Sequence, residues 1–161
     1  MSADTHAALA AIARRWVEDG WRLGDGAIVG ELHAPGFTDH DSGGRVPDND
    51  GFREGIVRLF AAFPDFHALV RDLVIEPTTG EGPACPDAKP ADAAGTGPSG
   101  KVTVRWTAIG THRGPYLGAA PSGRRIVFKG IEIIRVRDGL ITDRWGEWDG
   151  FELLAQLGRP V

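Results

Sequence analysis

The chain has 161 residues, 42% of them hydrophobic and 25% charged, with a formal net charge of -4 and a pI near 5.7. That length suits one domain with its own core, and the composition excludes a fibre or wholesale disorder. The arginines are scattered and no apolar run is long enough to span a bilayer, so neither a nucleic-acid nor a membrane partner is expected.

The N-terminal stretch MSADTHAALAAIARRWVEDG carries acids among its apolar positions and lacks the basic start and unbroken apolar run of a signal peptide, so a cytoplasmic location is the expectation. Helical spacing of Leu9, Ile12, Ala13, Trp16 and Leu23 predicts a helix from about Thr5 to Leu23, ended by Gly24-Asp25. A short second helix is expected over Ala27 to His33, broken by Ala34-Pro35-Gly36 before the segment Phe37 to Asp41. Phe52, Ile56, Leu59, Phe60 and Phe63 mark a third helix, with Asp48, Asn49 or Asp50 as N-cap and Pro64 as its end.

His67 to Glu76 alternates well enough to be a first long strand. Residues 77–100 hold five prolines and five glycines and no large apolar side chain apart from Cys85, and are expected to form a flexible hairpin insertion, either a tolerated loop extension or a lid. Cys85 is the single cysteine, and the histidines at 6, 33, 40, 67 and 112 lack the spacing of a helix-borne zinc site, so no disulfide and no metal are expected. Strand character resumes at Lys101 to His112, with Val102, Val104, Trp106, Ala108 and His112 on one face. Pro121-Ser122-Gly123 turns the chain into the next strand, and Arg137-Asp138-Gly139-Leu140 is a tight-hairpin signal into the last strand, Ile141 to Glu147. Phe151, Leu154 and Leu157 predict a closing helix, stopped by Gly158 and Pro160.

Helices followed by strands imply an α+β domain in which N-terminal helices pack in a strongly curved antiparallel sheet. The hollow between them is the default place for a small molecule. One residue marks it. On the strand Ile126 to Val136, Ile126, Phe128, Gly130, Glu132, Ile134 and Val136 share the less charged face, so Glu132 points inward. A carboxylate there is either an acid/base group or half of an ion pair with Arg105 or Arg144. His112 is either a proton shuttle or oxyanion donor, or a strand-end histidine capped by backbone groups. His40, between Asp39 and Asp41, has the makings of a carboxylate-oriented imidazole, with a turn role for the two aspartates as the alternative. Trp21, Trp106 and Trp145 are candidates for an aromatic pocket wall. Asp149 either caps the closing helix or serves the pocket.

The pieces HDSGG near position 40, AFPDFH, RWTAIGTHRG, LGAAPSGRR, GIEIIRVRDGLI and LLAQLG, in this order, resemble the SnoaL-like polyketide cyclase family of the nuclear transport factor 2 fold. The resemblance implies a cone-shaped fold, a cofactor-free enzyme acting on a small apolar or aromatic carbonyl compound, and a homodimer formed through the outer sheet face, here with Val127, Ile131 and Ile133. A non-catalytic binding or assembly module and a cofactor-independent partner in hydroxylation are the other readings it leaves open. The aldol cyclases carry an acid/base aspartate directly after the aromatic position of the last strand. Here Trp145 is followed by Gly146, Glu132 stands where a pocket histidine is often found, and Asp39 or His40 matches an exit-loop asparagine. Catalysis is therefore expected from Glu132 with His40 or His112, and Asp39 is expected on the pocket wall.

Overall fold

The structure is a computed structural model that describes residues 3–78 and 95–159. The central part of the proline- and glycine-rich insertion, with Cys85, lies outside the described residues. Helix α1 spans Ala3–Arg14 and runs into a π-helical turn over Arg15–Asp19, closed by the Gly20 N–H on the Arg15 carbonyl. That turn keeps Trp16 and Val17 buried, as the apolar spacing requires. Helix α2 spans Ala27–Leu32 and α3 Asn49–Ala62. Asp48 is the N-cap of α3, its carboxylate accepting from Gly51 N at 2.9 Å. The stripe Phe52, Ile56, Leu59 and Phe63 is buried as its spacing predicts.

Five strands follow the order β1-β5-β4-β3-β2: β1 is His33–Asp39, β2 His67–Pro77, β3 Gly100–Thr111, β4 Arg125–Arg137 and β5 Leu140–Trp148. The sheet is mixed rather than wholly antiparallel, because β1 lies parallel to β5 at one edge, with Asp39 beside Arg144. Sequence pattern hides β1. Pro35 and Gly36 sit inside it, and its partner strand is about 100 residues away, so no local alternation reveals the pairing. As a result α2 stops at Leu32, and His33 begins the strand instead of ending the helix.

The β4-β5 hairpin turns at Asp138 and Gly139, both with positive φ (49° and 82°), the left-handed pair that a two-residue connection demands. On β4, Ile126, Phe128, Gly130, Glu132, Ile134 and Val136 are buried, while Lys129, Ile131 and Ile133 are exposed. The period of two therefore survives from sequence to structure. Gly130 is the small member of the inner row because the Trp106 ring lies over it: a Cβ there would sit 2.5 Å from Trp106 Cζ2. Helix α4, Gly150–Gln156, is capped by Asp149 and buries Leu153 and Leu157 while Phe151 faces outward. Its Gln156 amide bonds both backbone groups of Val127 at 2.8 Å, satisfying β4 where β5 no longer reaches. No helix among the described residues is long and apolar enough to cross a membrane.

Candidate active site

Between the helices and the inner sheet face lies a cavity of about 290 Å³. It is small for a ligand pocket, near the lower end of the roughly 300–1,000 Å³ range, and suits a ligand of one or two fused rings. Trp21, Phe66, Trp106, Phe128 and Trp148 supply most of its aromatic wall. Glu132, Arg144, Arg45 and Asp41 supply its polar end.

Strand register explains that polar end. Glu132 on β4 is paired with Gly146 on β5, so Arg144, two residues before Gly146 on the same face, is its diagonal neighbour. Arg144 grips Glu132 with two hydrogen bonds, Nε to Oε2 at 2.9 Å and Nη2 to Oε1 at 3.2 Å. Its Nη1 donates to Asp39 Oδ1 at 2.8 Å and to the Asp41 carbonyl at 3.3 Å. Asp39 in turn accepts from Arg45 Nη2 at 3.1 Å. Two carboxylates and two guanidiniums thus alternate in one buried chain, with Asp39 1% and Glu132 5% exposed, so neither charge is left unpaired. Burial alone would lower the pKa of Arg144, but the charges and hydrogen bonds of Glu132 and Asp39 outweigh it and hold the guanidinium above its ordinary value. Both guanidiniums lie against the Phe52 ring, each with Cζ at 5.8 Å from the centroid.

Gly146 makes this arrangement possible. A Cβ at that position would run into the Arg144 guanidinium, so the site cannot keep both the arginine in its present place and a side chain at 146. The Gly146 N–H donates instead to Asp41 Oδ2 at 2.8 Å, which brings a carboxylate from the β1 exit loop to the place where the resemblance implies one on β5.

The other expected residues are distributed differently. Trp21 and Trp106 line the cavity, as does Trp148, whereas Asp39 sits behind Arg144 and does not reach the wall. Asp149 caps α4, accepting from Glu152 N at 2.9 Å, and is not on the wall. Trp145 follows Arg144 and therefore projects from the other sheet face, where it stacks on His40 with centroids 4.5 Å apart. His40 Nε2 meets Asp143 Oδ1 at 3.0 Å, so the expected carboxylate-oriented imidazole exists, but on the far side of the sheet from the cavity. Burial opposes the charge on Asp143, yet hydrogen bonds from His40 and Thr142 and the charge of Arg135 prevail and keep its carboxyl below the usual carboxylate range. His112 is fully buried beyond the end of β3, stacked on Phe63 at 5.3 Å, with Nδ1 facing Ser122 Oγ at 3.1 Å. It too is absent from the cavity wall.

Two groups escape the sequence reading. His33 is buried with Nε2 accepting from Trp16 Nε1 at 2.8 Å and Nδ1 set against Asn49 Oδ1 at 3.0 Å; burial pushes it down to about 4, so it stays neutral near pH 7. Tyr116 lines the cavity, and burial pushes its phenol up to about 12. Nothing local in the sequence marks either one. Arg144, weighed only as an ion-pair partner, proves to be the hub of the polar end. Among the described residues no group of three His, Cys, Asp or Glu side chains is placed to hold a metal ion.

Comparison with known proteins gives the site its family. No curated protein matches the sequence. TsrD from Streptomyces laurentii superposes with a TM-score of 0.71 at 24% identity, covering 99% of each chain. A candidate polyketide cyclase from Bacillus cereus superposes at 0.73 with 23% identity, covering 100% of this chain and 87% of that one. These two share the fold. IdmH from Streptomyces antibioticus, a candidate polyketide cyclase, is 29% identical with a TM-score of 0.65, over 94% of this chain and 98% of its own. The family profile described as SnoaL-like polyketide cyclase matches residues 11–80 and 86–157, so the chain belongs to the SnoaL-like polyketide cyclase family.

Proposed function

We propose that the cavity is the active site of a cofactor-free enzyme that moves a proton next to the carbonyl group of a small apolar or aromatic compound. The reaction class is an intramolecular aldol cyclisation or an isomerisation, with Glu132 as the acid/base group. One observation carries this reading: a carboxylate, held in a fixed orientation by Arg144, stands at the polar end of a cavity whose remaining wall is largely aromatic. Each Glu132 oxygen uses one lone pair on Arg144 and keeps a second for a ligand proton. Orientation of the base and a nearby fixed positive charge are what removal of a carbon-bound proton needs, since negative charge then develops on the carbonyl oxygen. The likeness to IdmH supports a polyketide-type carbonyl ligand. Arg144 occupies both oxygens of Glu132, and that same contact favours, as a second reading, a binding module that holds a ligand without turning it over.

The test uses 1-tetralone, a bicyclic aromatic ketone with exchangeable hydrogens beside its carbonyl, in deuterated buffer. Wild-type protein is expected to accelerate deuterium uptake, and Glu132→Gln to lose about 100-fold or more of that acceleration, the range for loss of a general base. Full exchange by Glu132→Gln would show that Glu132 is not the base. Ligand binding without exchange in wild type would favour the binding module.

A further inference from the structure

The reaction proposed above leaves one requirement unmet by Glu132: the carbonyl oxygen must be stabilised as it becomes negative. Arg144 and Arg45 are held by the protein itself: Arg144 directs four of its five N–H groups to Glu132, Asp39 and the Asp41 carbonyl, and Arg45 three of its five to Asp39, Ser42 and Gly51. Tyr116 is different. It is the single tyrosine of the chain, it is half-buried, and it shares the cavity wall with Glu132. Its ring is fixed at both ends of its backbone. Tyr116 and Ala119 exchange hydrogen bonds of 3.1 and 2.8 Å across a turn whose central residues, Leu117 and Gly118, have φ of 48° and 75°. The ring then meets Phe63 edge-on at 5.1 Å. Burial raises the phenol's pKa and the charge of Arg45, on the same cavity wall, opposes it, with no hydrogen bond from the described residues entering that balance. It keeps its proton throughout the neutral range, so it is a donor and not a base.

We infer that the Tyr116 hydroxyl is the hydrogen-bond donor to the ligand's carbonyl oxygen, the electrophilic counterpart of Glu132. The inference rests on the proton-transfer reading of the cavity. Glu132 takes the proton from the carbon beside the carbonyl, the C–H electron pair becomes the new C–C double bond, and the carbonyl π pair moves onto oxygen. Tyr116 shortens its hydrogen bond to that oxygen and retains its own proton. Glu132 then returns its proton, either to another carbon or to the alkoxide formed when the enolate carbon attacks a second carbonyl. No electrons enter or leave.

Tyr116→Phe deletes one oxygen and keeps the ring on Phe63. With 1-tetralone it is expected to lower the exchange kcat by about 100-fold while KM moves less than about threefold, the pattern of a donor that acts on developing charge. Binding gives an independent readout: 1-naphthol, which mimics the enol, should bind Tyr116→Phe at least about tenfold more weakly than wild type, whereas naphthalene should bind both equally. Carbon-13 labelling of the tyrosine gives one phenolic carbon signal, expected to shift with 1-naphthol and not with naphthalene. Unchanged exchange and unchanged 1-naphthol affinity in Tyr116→Phe would overturn the inference while leaving Glu132 intact as the base. Absence of exchange in wild type would overturn the proton-transfer reading, and the binding comparison would still decide whether Tyr116 donates to a ligand oxygen.

Discussion

Arg144→Met is the perturbation that reads the polar end of the cavity most clearly. The substitution keeps a long apolar stem and removes the guanidinium that bonds Glu132 twice, Asp39 once and the Asp41 carbonyl once. Arg45 remains on Asp39, but Glu132 is left in the wall with no cation bonded to it. Breaking a buried ion pair by removing one partner costs about 3–5 kcal/mol, because the surviving charge stays desolvated. Spread over a chain of 161 residues, that is a melting temperature lowered by about 8–15 °C. The penalty comes from stranded negative charge, so protons relieve it. The folded variant gains protons that the unfolded chain does not hold, and its stability relative to wild type must therefore improve as pH falls. Urea unfolding at pH 7.5 and at pH 4.5 measures this directly. A loss below about 1 kcal/mol at pH 7.5, or an equal loss at both values, would mean that the Glu132–Arg144–Asp39 chain does not carry the energy assigned to it.

His33 sets a second pH dependence, in wild type. Its folded value of about 4 lies below the ordinary 6.5, so the unfolded chain binds more protons between these values. The contribution is complete above pH 6.5 and is lost as pH falls toward 4, amounting to about 3 kcal/mol. A histidine NMR titration with a midpoint near 6.5 for His33 would contradict its burial between Trp16 and Asn49. A homodimer through the outer sheet face is also proposed, since Ile131 and Ile133 stand 52% and 38% exposed there among charged neighbours. Light scattering should give about twice 17.2 kDa, and Ile131→Glu should shift it toward the monomer; a monomer mass for wild type at micromolar concentration contradicts the proposal.

Local signals made much of the fold legible. Alternation along β4 put Glu132 inward, Asp138-Gly139 announced the hairpin, and Asp149 before a short apolar repeat announced a cap, because each depends on neighbours within a few residues. Strand β1 was not legible, since its pairing partner lies far away in the chain and its own Pro35 and Gly36 mask the period. The site divided along the same line. The Glu132–Arg144 pair was one of the alternatives that the residues allowed, but its choice over Arg105 follows from cross-strand register: Arg105 is paired with Ile131, on the outer row, while Arg144 is diagonal to Glu132. The same alternation could have placed Trp145 outside, given that its neighbour Arg144 points in. His40 directly follows β1 and its buried Asp39 and reaches Asp143 on the opposite face, as the opposed directions of adjacent extended residues allow. Tyr116 carries no pattern at all; a single aromatic in a turn becomes informative when the cavity it borders is known.

The proposed chemistry requires a ligand oxygen held between Tyr116 and Glu132 in the cavity, and a crystal structure of the protein with 1-naphthol bound shows whether it is there. The two rings are expected among Trp21, Trp106 and Phe128, with the oxygen directed to the polar end, within hydrogen-bonding distance of Tyr116 and facing Glu132. Naphthol seated only on the outer sheet face beside Ile131, with the cavity closed by its own side chains, would contradict it.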